Sequence, residues 1–164
     1  MLLATWYVMG IPSKLVDFLN QGKVRYEILH HPEAFTSQEL TAIEHVRGKY
    51  HAKVVMAKAD GGPVMTVLPA NQRVDFKALD RVTGKRTALA TEAEFKAGFP
   101  DCAVGTMPPF GNLYGIETYV EERLAQNDYI VFEAGTHTDA IKMSYADYAR
   151  LATPIVAEFA VKLY

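Results

Sequence analysis

One cysteine, Cys102, and one tryptophan are all that 164 residues contain of either type. A single cysteine excludes an internal disulfide and a cysteine-rich zinc site, and it fits a reducing, intracellular setting. Positive charge is also scarce, with a formal net charge of -2. No broad basic field is therefore available to hold nucleic acid, and nothing points to DNA. An RNA partner has to be met by a local patch or with the help of another protein. No apolar run reaches membrane-spanning length. The opening stretch MLLATWYVMG is short, lacks a basic leader segment and a small-residue cleavage site, and is soon followed by Lys14 and Asp17. Neither a signal peptide nor a membrane span is expected from it. Residues 1–12 read as an N-terminal extension, with the cytoplasm as the default location and no membrane partner. Also missing are H-E-x-x-H, G-x-S-x-G, a P-loop and G-x-G-x-x-G, and no sign of a cofactor is found.

What is present is an ordinary globular composition, 49% hydrophobic and 22% charged, enough for one sizeable core in one domain over 1–164. Repeats, low-complexity runs and linkers are lacking. Ser13 to Gln21 reads as a helix stopped by Gly22, and Val24 to Leu29 as a strand. Thr36-Ser37-Gln38-Glu39 is a capping box that opens a helix towards His45. Two β-branched runs, 52–58 and 64–68, flank Asp60-Gly61-Gly62 and predict a hairpin. Asp75 starts a short helix, 87–89 is a short strand, and Thr91-Glu92-Ala93-Glu94 is a second capping box. After a Gly/Pro-rich loop at 105–115 come strands near 117–120, 129–133 and 140–143. A helix follows over 144–151, and the tail beyond Pro154 is read as helical. The interspersion predicts an α+β fold with a mixed, largely antiparallel sheet flanked by helices.

Five histidines are spread along the chain without familiar metal-ligand spacing. His30 and His31 are adjacent on a strand and point to opposite faces, one packed and one exposed. No metal site is expected. Lys53 opens an otherwise apolar strand. It is either an edge residue reaching solvent or a cation held in a cleft. The loop Gly105-Thr106-Met107-Pro108-Pro109-Phe110-Gly111 is either a rigid connection or a set of backbone N–H donors for a carbonyl oxygen.

Taken in order, Tyr26, His30, 36–42, the Lys53 strand, 67–79, 90–95, Gly105–Pro109 with Phe110-Gly111, Ala134-Gly135, Ile141 and 144–151 resemble the YbaK and prolyl-tRNA synthetase-associated editing domains. The resemblance covers roughly Val24 to Leu151. It implies hydrolysis of the ester of a mischarged tRNA without a metal or cofactor, with the acceptor end of aminoacylated tRNA as partner and an aminoacyl-tRNA synthetase as a further one. The lysine of that family matches Lys53, which would orient the terminal adenosine and the ester. Gly105 would offer N–H donors to the developing oxyanion. Tyr26, His30, Met107, Pro109, Phe110, Gly111, Gly135 and Thr136 are the substrate-binding candidates, and Arg47, Lys49 and His51 the RNA-binding ones. Thr106-Met107-Pro108 and Thr136-His137-Thr138 depart from the family pattern and bear on which small aminoacyl group is accepted. A silent tRNA- or synthetase-binding module on the same fold is the second reading.

Overall fold

The computed structural model describes residues 10–32 and 47–163. The expected helix from Thr36 towards His45 and most of the N-terminal extension lie outside the described residues.

The fold is α+β with a mixed, mostly antiparallel strand arrangement. Helix α1 (Ser13–Gln21) buries Leu15 and Leu19 and leads to β1 (Tyr26–His30). The hairpin pairs β2 (Ala52–Ala59) with β3 (Gly62–Pro69) in the register Ala59↔Gly62 to Ala52↔Pro69. Its turn residues Asp60 and Gly61 both have positive φ, at 50° and 84°, as a two-residue primed turn requires. Strand β4 (Gln72–Val74) precedes α2 (Phe76–Thr83), which is capped by the Asp75 carboxylate accepting from the N–H groups of Lys77 and Ala78. After β5 (Thr87–Leu89), Thr91 and Glu94 close a reciprocal capping box on the one-turn α3 (Glu92–Phe95). The remaining elements are β6 (Glu117–Glu121), α4 (Glu122–Ala125), β7 (Tyr129–Glu133), β8 (Asp139–Ser144), α5 (Tyr145–Ala152), β9 (Ile155–Ala157) and β10 (Ala160–Lys162).

These strands form three sheets, ordered β5-β2-β3-β6-β9, β1-β8-β7 and β10-β4. Within the first, β3-β6 and β6-β9 are parallel, and every other strand pairing in the three sheets is antiparallel. A single parallel bridge, His51↔Val131, joins the first sheet to the second. The helical reading of the tail is corrected here. Its β-branched segments lie as short strands because the buried Glu121 accepts hydrogen bonds at 3.0 Å from the N–H groups of both Phe159 and Ala160. The tail is thereby pulled out flat against β6 and β4.

Side chains from α1, the first two sheets and α5 make the main core. Phe110 sits at its centre, fully buried, with edge-on ring contacts to Phe18 and Phe132 at 5.7 Å and to Tyr148 at 5.1 Å. Truncation leaves a cavity that these rings cannot all collapse into. Phe110→Ala should therefore lower the unfolding free energy by about 3–5 kcal/mol in a urea titration. A smaller core of Leu68, Leu79, Tyr119 and Phe159 lies on the other side, under α2.

Candidate active site

Lys53 is the second residue of β2, a strand with neighbours on both sides. Its side chain is half-buried and its Nζ donates to the Ala70 carbonyl at 3.4 Å. Burial lowers the Lys53 pKa from its ordinary value. Of the two readings open at Lys53, the structure shows the cation in a cleft. A cavity of about 60 Å³ opens beside it, lined also by His51, Gly105, Met107 and Glu133. The chain brings these groups together from three places. The His51↔Val131 bridge sets the start of β2 along β7, and Glu133 closes β7 two residues further on.

Gly105 completes the wall with φ of 82°, a conformation that other residues adopt only under strain, and a side chain added there would point into open space. The loop is pinned from behind. Gly135 N–H donates to the Thr106 carbonyl at 2.8 Å, Ala103 N–H donates to the Gly135 carbonyl at 2.9 Å, and the buried Thr106 hydroxyl donates to Ala103 at 2.6 Å. Gly135 lies so close to Pro12 that a Cβ would collide with its ring.

Several sequence-based assignments change in the structure. Lys53, Gly105 and Met107 share the cavity, whereas Pro109, Phe110 and Gly111 are turned into the protein. The Pro109 carbonyl accepts from the buried Tyr148 hydroxyl at 2.7 Å, Phe110 is core, and Gly111 N–H donates to Thr118 at 3.1 Å. They hold the loop rather than line the cavity. Gly135 likewise buttresses it. Tyr26 borders a different groove and donates to Asn20 at 2.9 Å. His30 and Thr136 meet at the buried Asp139, which pairs with the His30 ring at 2.6 Å and accepts from the Thr136 hydroxyl at 2.6 Å. His30 is the exposed member of its pair and His31 the buried one.

Arg47 and Lys49 are exposed, as an RNA contact requires, but His51 is not. It is 1% exposed, neither ring nitrogen has a hydrogen-bond partner among the described residues, and its pKa falls to about 4. Desolvation is the main cause, helped by His31 and Lys53. His51 is therefore a neutral wall of the cavity and not a surface cation. Sequence reasoning missed this role, and it missed Glu133 and Asp139. The signal available for Glu133 was a carboxylate closing the apolar run Tyr129-Ile130-Val131-Phe132.

A larger groove of about 710 Å³ lies apart, between Lys49, Gln72, Arg123, Glu158 and Lys162. There Glu122 shares a hydrogen bond with Glu158, which raises the Glu122 pKa. Among the described residues, no three His, Cys, Asp or Glu side chains are grouped to hold a metal ion. No helix among them is long and apolar enough to cross a membrane.

Residues 31–151 match the family model of the aminoacyl-tRNA editing domain. The multifunctional Ser/Thr-tRNA deacylase ProXp-y of Escherichia coli (strain K12) is 26% identical over 153 residues, spanning 90% of this chain and 91% of that protein. The same protein of Escherichia coli O157:H7 matches equally. Among solved structures, the hypothetical protein APE2540 superposes with a TM-score of 0.82 at 19% identity, over 90% of this chain and 99% of that one. A candidate trans-editing enzyme for prolyl tRNA synthetase superposes with a TM-score of 0.78 at 17% identity, over 91% and 96%.

Proposed function

This chain belongs to the family of aminoacyl-tRNA editing domains, and from that premise we propose that it is a trans-editing deacylase removing a small amino acid from mischarged tRNA. The observation that carries the reading is the convergence of Lys53 and Gly105 on one small cavity. In the reaction a water oxygen bonds to the ester carbonyl carbon and the bond from that carbon to the ribose oxygen breaks. Free amino acid and a ribose hydroxyl result. Lys53 orients the terminal adenosine and the ester. Thr106, Phe110 and Gly111 have already committed their N–H groups to protein acceptors, and Pro108 and Pro109 have none. The oxyanion donors are then Gly105 and Met107, both on the cavity wall. A ribose hydroxyl of the substrate helps to activate the water.

Cavity size argues for a small acyl group. At about 60 Å³, the cavity favours a side chain of a few atoms over a large one. Cysteinyl, alanyl, seryl and threonyl esters fit this limit. The name of the Escherichia coli relative, a Ser/Thr-tRNA deacylase, puts seryl and threonyl first. Such a site supplies the discrimination that a synthetase pocket lacks, since one methylene is worth only about 1–3 kcal/mol there. The partners are the acceptor end of the tRNA and a synthetase of the prolyl system, in the cytoplasm.

The test is deacylation of tRNA charged separately with cysteine, alanine, serine and threonine, with and without chelator. Chelator-resistant cleavage of one or two esters is the expected result. In the same series, full-rate cleavage of tRNA ending in 2′-deoxyadenosine would remove ribose assistance. No cleavage of any ester, with tRNA still bound, would replace the enzyme by a silent binding module.

A further inference from the structure

Outside the cavity, four side chains form a continuous cation–ring–ring–cation stack. The Tyr50 and Tyr129 rings lie 4.5 Å apart and within 3° of parallel. The Lys49 ammonium sits 4.7 Å from the Tyr50 ring and the Lys142 ammonium 4.4 Å from the Tyr129 ring. Tyr129 and Lys142 also wall an open groove of about 390 Å³ with Arg25, while Arg47 is exposed two residues before Lys49. Glu27 and Asp128 are the carboxylates bordering that groove, against the cations Arg25 and Lys142.

The position of the stack relative to the cavity is set by β7. Tyr129 and Glu133 are four residues apart and point to the same side of the strand, so they lie about 13 Å apart at about 3.3 Å per residue. Val131 is buried between them. Four stacking steps between nucleotides, at about 3.4 Å each along one strand, cover the same distance. A lysine resting on a ring has lost much of its rotameric freedom before any ligand arrives, so less entropy is lost when it meets a phosphate.

We propose that the Lys49–Tyr50–Tyr129–Lys142 stack is a contact surface for the phosphate backbone of the tRNA acceptor stem. It engages the RNA beyond the terminal nucleotide whose ester lies at Lys53. The inference rests on the deacylase reading for the identity of the RNA, but its test needs no turnover. The probe is an uncharged RNA hairpin copying an acceptor stem with its CCA end, and binding is followed by fluorescence anisotropy across a salt series. Lys142→Gln combined with Tyr129→Leu should weaken binding at least about fivefold, and the slope of log affinity against log salt should become shallower by about one. Tyr129→Phe alone keeps the ring stack and should bind as the wild type does. Thermal melts of all variants check that the fold is retained.

Equal affinity and an unchanged salt slope in the folded double variant would overturn the proposal, and so would a wild type that does not bind the hairpin. Hairpin binding that depends on Lys142, in a protein that cleaves no ester, would uphold the surface and remove the deacylase reading. Ester cleavage with Lys142-independent binding would do the reverse.

Discussion

Lys53→Ala is expected to lower kcat/KM on acylated tRNA by about 10² to 10³, the cost of losing one well-placed electrostatic contact to a reacting ester. The fold should survive the change. Lys53 is half-buried, and the hydrogen bond from its Nζ to the Ala70 carbonyl, at 3.4 Å, is long. Its removal also ends the desolvation of a buried cation, which offsets lost packing. Lys53→Arg should rescue little, because the planar guanidinium is larger and presents its donors differently in a cavity of about 60 Å³. Lys58, on the same strand, is the control. It pairs with Glu94 at 2.9 Å on the surface, and Lys58→Ala should leave deacylation unchanged. Single-turnover deacylation with saturating enzyme reads the chemical step for each variant. A Lys53→Ala protein that melts normally and cleaves within threefold of the wild type would remove Lys53 from the mechanism.

His51 should make the protein sensitive to mild acid. Its pKa is near 6.5 in an unfolded chain and about 4 in the folded one, so the unfolded state binds the proton first. Stability is accordingly unaffected above about pH 6.5 and falls as the pH drops from there towards 4. At about 1.4 kcal/mol per pH unit the full loss is about 3 kcal/mol. The carboxylates with lowered pKa, Asp80 and Glu94, act in a lower range. Glu94, held near 2 by Lys58 and its own capping box, loses its contribution only as the pH falls below its ordinary value of 4.5. Glu122, whose pKa Glu158 raises, titrates alike with and without the His51 ring. The difference between the wild type and a variant lacking that ring thus isolates the histidine between 6.5 and 4.5. Urea unfolding at pH 7.5, 5.5 and 4.5 should show the decline in the wild type and a flatter profile in His51→Leu, which also removes two buried nitrogens without partners. Parallel profiles for the two proteins would mean that His51 protonates freely in the folded state.

The contrast between Lys53 and His51 shows which parts of the molecule a sequence can reveal. Lys53 is conspicuous because a cation stands at the head of an apolar strand, and local alternation already fixes its face. The hairpin is equally local, since Asp60-Gly61 supplies both positive φ values. His51 sits in the polar stretch Gly48-Lys49-Tyr50, which reads as surface. Its burial comes from pairing with Val131, eighty residues away, and no local pattern encodes that contact. Phe110 fails for a similar reason. A Gly/Pro-rich loop suggests exposure, yet three rings from distant elements enclose it. The tail was misread because its strands are three residues long. Strands so short carry no periodicity, and a buried carboxylate in β6 decides their conformation. Tyr50 and Tyr129 stack across the same long-range pairing, which is why neither stood out beside Lys49.

The pairing of β1 with β8 has a consequence for the chain as it is made. Tyr26 to His30 find their partners in Asp139 to Met143, so the first strand waits for roughly 110 further residues before its ladder can form. At about 5–20 residues per second, ribosomal synthesis leaves it unpaired for about 5–20 s. The β2–β3 hairpin, closed by a two-residue turn, needs no such delay. Lys53 is thus set in its strand early in synthesis. The His51–Val131 seam and the wall at Glu133 arrive only about eighty residues later, and a nascent chain stalled before β7 carries the lysine without its pocket.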